Sequence, residues 1–277
     1  MWTFPKVLRT CANSILKTKG NVCPTPRAAE MAVSKRCITS SVVHCQLSTN
    51  RERQQTGVIV SDAVNRLDPL EHYDYFNVRN LVEVGNMFNA FCHYGHHQDC
   101  RNEFMAPYLF GTRYSTDIFD LDKTVPLFQD ALNFLAHIVY RGGIVLFISR
   151  QKLTMPLIES MAKRCGEYAH CRYWNPELFT NTRHAVGFPT RLPDICVLLG
   201  SQNSAFQAHK AVIDSAKLLI PTIGIVDSNC DPRLITYPIP ANDDTFSSVQ
   251  YYLEVFEETV KRAKQKRKED FSTDVQE

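Results

Sequence analysis

Three histidines lie within five positions of one another in the stretch CHYGHHQDC. His93 and His96 are three residues apart, a spacing that places two side chains on one face of a helix, and a neighbouring aspartate or cysteine could complete the ligand set of a zinc ion. Gly95 interrupts the group, however, and the H-E-x-x-H pattern of zinc-dependent hydrolases is absent. The pattern therefore favours structural packing, or contact with a backbone or an RNA, over a bound metal.

The stretch IVDSNCDP holds a second group of residues that could do chemistry. Asp227 ends an apolar run, and enzymes with parallel sheets often carry catalytic acids at the carboxyl ends of such strands. The alternative is that Asp227 and Asn229 hold a tight turn through side-chain to backbone hydrogen bonds, and that Asp231 begins another turn. No nucleophile or general base accompanies Asp227, so the sequence favours the turn.

The motifs that accompany most α/β enzymes are missing from the chain. The sequence contains no G-x-G-x-x-G, no G-x-x-x-x-G-K-[ST] and no G-x-S-x-G. Gly142 and Gly143 form the nearest glycine pair, but they precede an apolar run, whereas a phosphate-binding turn follows its strand. We therefore expect no enzymatic activity, no cofactor and no small-molecule substrate. The remaining enzymatic alternative is a hydrolase or transferase that uses His93, His96 and Asp227. Its location would be the mitochondrial matrix, which the N-terminal leader described below predicts.

The elements that must position these residues alternate between helix and strand. The stretch NVRNLVEVGNMFNAF has apolar residues at helical spacing and predicts a helix that Gly95 ends. Continuous apolar runs such as IVLFIS are typical of strands buried on both faces of a parallel sheet. After two short strands around Gly111, the pattern predicts a helix over 124–140, a strand over 144–149, a helix over 152–164, strands over 168–173 and 194–200, a helix over 204–218, a strand over 222–227 and a helix from Asp243 onward. This alternation predicts an α/β fold, a Rossmann-like parallel sheet flanked by helices.

The first 46 residues differ in composition from the rest of the chain. They contain seven basic residues, one acidic residue and many Ser, Thr and Cys residues. Such a leader is typical of a mitochondrial transit peptide, and the alternative is a disordered basic arm. We therefore predict a transit peptide over 1–46 and a location in the mitochondrial matrix. No apolar run reaches the ~18 residues of a membrane-spanning helix, so no membrane partner is expected.

The rest of the chain divides into three parts. The polar stretch over 47–75 predicts an extended N-terminal arm, 76–256 form the Rossmann-like domain, and 257–277 form a basic C-terminal helix end and tail. Taking the seven basic residues and the one acidic residue of the leader from the chain totals of 31 and 29 leaves 24 basic and 28 acidic residues. The body therefore has a net charge near −4 and can contact nucleic acid only through local clusters.

Long stretches of the chain, taken in order, resemble the bacterial-type small-subunit ribosomal protein number two family. The resemblance rests on VEVGNMFNAFCHYGHH, PYLFGTRYSTDIFDLDKTVPLF, RGGIVLFIS, AKRCG, RLPDICVLL, IPTIGIVDSNCDP and YPIPANDD, which span about residues 76–256. With its basic leader the chain looks like the mitochondrial version. The family implies a Rossmann-like domain without catalysis that binds small-subunit rRNA and neighbouring ribosomal proteins. His93 and His96 fall in the family's histidine element, which implies that they shape a helix end and an RNA-facing turn.

The chain departs from the family pattern in three places. Only RHAVGFPT is available before RLPD, so the family's inserted helical hairpin is expected to be missing. Pro176 and Glu177 replace a glycine pair, which argues against close approach of the backbone to RNA there. Gly200 and the two residues after it replace acids that some members carry, which makes metal binding less expected.

RNA contact is expected from basic residues at the ends of strands, because loops at that edge of the sheet present side chains to a partner. Trp174 could either stack on a base or pack under its loop. The basic run KRAKQKRK, residues 261–268, is either a solvated helix end or a phosphate contact. The expected partners are small-subunit mitochondrial rRNA and neighbouring mitochondrial small-subunit ribosomal proteins. The residues predicted to bind RNA are His93, His96, Arg101, Arg113, Lys123, Arg150, Lys152, Arg172, Trp174 and Arg183.

Overall fold

The structure, a computed structural model, describes residues 69–183, 187, 190–204 and 207–273. A small antiparallel sheet lies near the start of this part of the chain. Helix α1 (Val84–Asn89) precedes strands β1 (Tyr94–His97), β2 (Leu109–Arg113) and β3 (Thr116–Phe119). The strands lie in the order β1-β3-β2. The transit peptide predicted over 1–46 and the arm up to residue 68 lie outside the described residues.

Five parallel strands form the larger sheet. Their spatial order is β10-β9-β6-β4-β5, so the chain changes its direction of progress across the sheet between β4 and β6. A separate hairpin, β7 with β8, follows β6. The prediction of an α/β fold with a parallel sheet flanked by helices is confirmed. The elements are α2 (Leu121–Tyr140), β4 (Val145–Ile148), α3 (Met155–Cys165), β5 (Tyr168–His170), β6 (Ile195–Leu198), β7 (Gln202–Ser204), β8 (Gln207–Ala208), α4 (Lys210–Lys217), β9 (Thr222–Val226), β10 (Tyr237–Pro240) and α5 (Phe246–Thr273).

The two faces of the parallel sheet have separate apolar cores because successive side chains of a strand point to opposite faces. Val145 and Phe147 belong to the core that α2, α3 and α5 cover, and Phe147 packs on Phe256 of α5. Ile148 belongs to the second core, which includes Val212 of α4. Each fully buried side chain of this size contributes about 1.5–3 kcal/mol to folding. None of the described helices is long and apolar enough to cross a membrane.

Helices α2, α3 and α5 begin within about one turn of their predicted starts, at Leu121, Met155 and Phe246 instead of residues 124, 152 and 243, and two other helices differ more. The helix predicted up to Gly95 is broken: α1 ends at Asn89, Phe91 adopts a φ of 60°, and β1 follows. Gly95 lies inside β1, where an added Cβ would lie 3.0 Å from Ser228 Oγ, so glycine is needed there for close approach. The helix predicted over 204–218 begins only at residue 210, because the side chain of His209 accepts a hydrogen bond from the backbone of Ala211 and caps the helix.

Strand β10 has the sequence YPIP, which does not predict a strand. Proline has no backbone N–H and is confined to edge strands and strand starts. Pro238 and Pro240 are tolerated because β10 is the outermost strand and pairs only with β9. Its position matters for the site, because Asp243 and Asp244 lie three and four residues after its end.

Candidate functional site

The carboxyl ends of the five parallel strands lie at one edge of the sheet, and the charges there are segregated. Strands β9 and β10 are neighbours and are followed by Asp227, Asp243 and Asp244, which we call the acidic half. Strands β4 and β5 lie on the other side of β6 and are followed by Arg150, Lys152 and Arg172, which we call the basic half. This segregation follows from strand order and could not be inferred from the sequence alone.

His96 lies over the acidic half and joins the small sheet to the large one. Its Nδ1 is 3.1 Å from a carboxylate oxygen of Asp227, and its Nε2 is 3.3 Å from one of Asp244. The backbone N–H of His96 donates a hydrogen bond of 2.8 Å to Ser228 Oγ. The hydrogen bond with Asp227 and the charges of the nearby carboxylates raise the pKa of His96 to about 9, against an opposing effect of burial. His96 is therefore an imidazolium at neutral pH, and we call its ion pairs with Asp227 and Asp244 the His96 ion pairs.

The positive charge of His96 offsets part of the repulsion between the carboxylates of the acidic half. Burial, and then the charges of Asp227 and Asp244, raise the pKa of Asp243 well above its ordinary value, and His96 opposes that rise. The ligand atoms of His96, Asp227 and Asp244 lie within 4.8 Å of one another, so these three residues could hold a divalent cation if the imidazolium lost one proton. With both nitrogens already facing carboxylates, the arrangement favours the imidazolium.

The His96 ion pairs should make the free energy of unfolding depend on pH. Because the folded pKa of His96 is about 9 and its ordinary value is 6.5, the contribution to stability is complete below about pH 6.5 and is lost as pH rises through about 9. We expect His96→Gln to lower the free energy of unfolding by about 2 kcal/mol near pH 6 and by almost nothing near pH 10. Urea unfolding of both proteins across that pH range measures this difference. His97→Gln, at the exposed neighbouring position, is the control. A difference in unfolding free energy between wild type and His96→Gln that stays constant with pH would contradict the stabilising role of the His96 ion pairs.

The other histidine of the element has a different environment. His93 is buried and stacks on Phe88, with ring centroids 4.4 Å apart, and its ring is tilted against that of Tyr94 at 4.2 Å. Burial lowers the pKa of His93, so the ring is neutral. His93 and His96 therefore do not form a pair, and the structure does not bring His93 to Asp227. Of the three residues named by the enzymatic alternative, only His96 and Asp227 therefore lie together.

Two further residues predicted to bind RNA make internal contacts. Trp174 is 3% exposed, and its indole Nε1 donates a 3.0 Å hydrogen bond to Asp214. It therefore packs under its loop, which is one of the two roles considered. Arg101 Nε donates a 2.8 Å hydrogen bond to Asp117, whose side chain is fully buried, and its guanidinium also binds Thr112.

The remaining predicted basic residues lie at exposed or partly engaged positions. Lys123 Nζ donates to the carbonyl of Pro107 at 2.9 Å and lies 3.2 Å from Asp120. Arg172 lies 3.6 Å from Glu159 but keeps most of its side chain in solvent. Arg113 at the β2–β3 turn, Arg150 and Lys152 after β4, and Arg183 in the segment between β5 and β6 are exposed. Only Arg150, Lys152 and Arg172 meet on the basic half.

The basic run near the C-terminus is largely engaged with acids of the same protein. Lys261 and Arg262 pair with glutamates one helical turn earlier, and Lys264 pairs with Glu167 and donates to the carbonyl of Cys165. These contacts support the interpretation as a helix end for most of the run. Arg267 and Lys268 are exposed and could still contact a phosphate.

Comparisons with known proteins give a consistent result. The family model described as ribosomal protein S2 matches residues 87–187 and 189–263. The chain is 45% identical over 246 residues to the small ribosomal subunit protein uS2m of Bos taurus, a match that covers 89% of this chain and 81% of that protein. It is 32% identical over 219 residues to the small ribosomal subunit protein uS2 of Gluconobacter oxydans, covering 65% of this chain and 80% of that protein. The uS2 protein of Rhizobium etli is also 32% identical, over 218 residues.

Proposed function

The chain belongs to the ribosomal protein S2 family, and from that membership we infer that it is a structural constituent of the small ribosomal subunit and not an enzyme. The observation that carries this conclusion is the 45% identity to the bovine uS2m protein over most of both chains. A constituent of the subunit associates with rRNA and with other ribosomal proteins. The site agrees with this role, because His96 contacts carboxylates of the large sheet through both ring nitrogens and so joins the two sheets.

We propose that the protein acts in the mitochondrial matrix after removal of a transit peptide within residues 1–46. The similarity to a mitochondrial relative supports a mitochondrial location. The leader supports import, because its seven basic residues and single acid match the composition of import signals. In the matrix the partner RNA is the mitochondrial small-subunit rRNA.

We propose further that rRNA lies against the basic half of the carboxyl edge. The acidic half repels phosphate, whereas Arg150 and Lys152 make no ion pair with a described residue and Arg172 is only loosely held. Arg113, Lys123 and Arg183 are proposed as outlying contacts. His93, His96, Arg101 and Trp174 support RNA binding indirectly, by holding the surfaces that carry these residues.

Protein neighbours should supply much of the remaining affinity. The mature body has a net charge near −4, so the favourable release of counterions on RNA binding comes from a few residues only. We propose that neighbouring mitochondrial small-subunit ribosomal proteins cover other surfaces of the molecule. The isolated protein is therefore expected to bind naked rRNA weakly.

Reversing charges on the basic half tests this proposal. We expect Lys152→Glu with Arg172→Glu to reduce incorporation into the small subunit severalfold in cells that also express the wild-type protein, because two phosphate contacts become repulsive. Quantitative mass spectrometry of subunits isolated on gradients measures the ratio of variant to wild type. The matched control is Arg141→Glu with Lys163→Glu, which makes the same charge change at the opposite edge of the sheet. Equal incorporation of both variants would contradict RNA contact by the basic half.

A further inference from the structure

The basic half contains a cleft whose side chains are more varied than contact with RNA phosphates alone would require. It lies between the carboxyl ends of β4 and β5, the β7–β8 hairpin and the start of α4, beside the point where the strand order reverses. Parallel α/β sheets bind ligands at this position. The cleft has a volume of about 190 Å³ and is lined by Arg150, Tyr173, Trp174, Asn203, Gln207 and Lys210.

The charge of this cleft is positive. Arg150 and Lys210 line it, and neither makes a hydrogen bond or an ion pair with a residue that the structure describes. Burial, and then the charge of Arg150, lower the pKa of the adjacent His209 to about 4, so this ring adds no charge. Asp214 accepts the indole hydrogen bond of Trp174, and Asp243 and Asp244 line a neighbouring cleft that Arg150 also borders. Two cations without a carboxylate partner are suited to a phosphate group.

The remaining lining residues are suited to a nucleobase. Tyr173 is 73% exposed, so its ring offers a free face, and the buried Trp174 next to it fixes the backbone. Stacking of a base on an exposed aromatic ring requires no particular base. The side-chain amides of Asn203 and Gln207 can donate to and accept from a base edge. An aromatic ring, two amides and two cations therefore meet in one cleft.

We propose that this cleft binds one unpaired nucleotide of RNA, with its phosphate between Arg150 and Lys210 and its base against Tyr173. The proposal rests on the ribosomal function inferred above and assigns a defined RNA element to one site. A duplex is disfavoured, because its bases are stacked on each other and cannot reach Tyr173. An acidic peptide would use the two cations but would leave the aromatic ring and both amides without a role.

Binding of a short RNA to the purified full chain tests the proposal. The probe is a fluorescently labelled single-stranded RNA pentamer, followed by anisotropy at several salt concentrations. We expect Arg150→Glu with Lys210→Glu to weaken binding at least about tenfold and to reduce the slope of log K against log salt by about 0.7, the value for one neutralised phosphate on a single strand. Tyr173→Ala should weaken binding about tenfold and Tyr173→Phe less than about twofold, because stacking needs the ring and not the hydroxyl.

Controls separate the cleft from net charge and from other ligands. The variant Arg141→Glu with Lys163→Glu should bind the pentamer within about threefold of wild type, because long-range charge effects are screened by salt. The proposal is overturned if this control loses as much affinity as the cleft variant, or if Tyr173→Ala binds like wild type. It is also overturned if AMP binds as tightly as the pentamer, which would indicate a site for free nucleotides, or if an acidic peptide displaces the RNA.

Incorporation distinguishes failure of the cleft from failure of the ribosomal function. If the wild-type protein sediments with the small subunit but no cleft substitution changes the affinity for the pentamer, the cleft proposal fails and the ribosomal role stands. If the wild-type protein does not sediment with the subunit, the ribosomal role fails whatever the cleft binds. In assembled subunits we expect ultraviolet crosslinks between RNA and the tryptic peptide that contains Tyr173, and their absence, with crosslinks found elsewhere in the same protein, would contradict the cleft.

Discussion

Substituting Arg101 by alanine is expected to lower the free energy of unfolding by about 3 kcal/mol, because it leaves a buried carboxylate without its counter-charge. Asp117 is fully buried and accepts hydrogen bonds from Arg101 and Thr112. Burial alone would raise the pKa of Asp117, but the hydrogen bonds from these two residues and the charge of Arg101 hold it below its ordinary value. The expected loss is at the low end of the range for buried pairs, since about a third of the Arg101 side chain is exposed.

Urea unfolding at neutral pH measures this loss, and two variants serve as controls. Arg113→Ala removes an exposed arginine from the same small sheet and should change stability by less than about 0.5 kcal/mol. Arg101→Ala with Asp117→Asn removes the unpaired charge and should recover part of the loss. An Arg101→Ala protein that unfolds like wild type but loses RNA affinity would show that Arg101 contacts RNA directly and would contradict the structural role.

Substituting Trp174 by alanine should have an effect of similar or larger size, a loss of about 3–5 kcal/mol. The indole is 3% exposed and makes edge contacts with Phe179 at 4.9 Å and His209 at 5.8 Å between ring centroids. Its removal leaves a cavity in the second core and an unpaired acceptor on Asp214. Differential scanning calorimetry and urea unfolding measure the loss.

Two substitutions separate the parts of the Trp174 effect. Trp174→Phe keeps a ring in the core but removes the indole donor to Asp214, so about 1–2 kcal/mol should be lost. Tyr173→Ala, at the exposed neighbouring position, should change stability by less than about 0.5 kcal/mol. If Trp174→Ala retained wild-type stability, the ring would be free to leave its pocket and to stack on a base, contrary to the packing described.

The parallel sheet could be predicted because its strands carry their own signal. Strands β4, β6 and β9 are continuous apolar runs, and such runs occur where both faces of a sheet are covered. Strand β10 gave no such signal, because two of its four residues are prolines. The start of α4 was also missed, since the capping role of His209 becomes evident only when its side chain is seen against Ala211.

The sequence singled out His96 and Asp227 but did not predict that they contact each other in this way. The spacing of His93 and His96 suggested one shared site, yet β1 and its preceding turn place one ring in an aromatic stack and the other between two carboxylates. The partner of Arg101 is Asp117, sixteen residues away on strand β3. Lys210 was not singled out, because nothing local connects it to Arg150, and only the strand order brings the two to one cleft. Contacts of this kind join residues far apart in the sequence, so they could be predicted only with knowledge of the strand order.

Sedimentation of the protein with the small ribosomal subunit tests the ribosomal role most directly. Mitochondrial lysate is separated on a gradient, the small-subunit fractions are washed in high salt, and the protein is quantified against other ribosomal proteins of the same fractions. We predict that it stays in these fractions in an amount equal to theirs after the wash, because a structural constituent is held by RNA and by protein neighbours together. Loss of the protein from the washed subunits, or its recovery only among free proteins at the top of the gradient, would contradict the account.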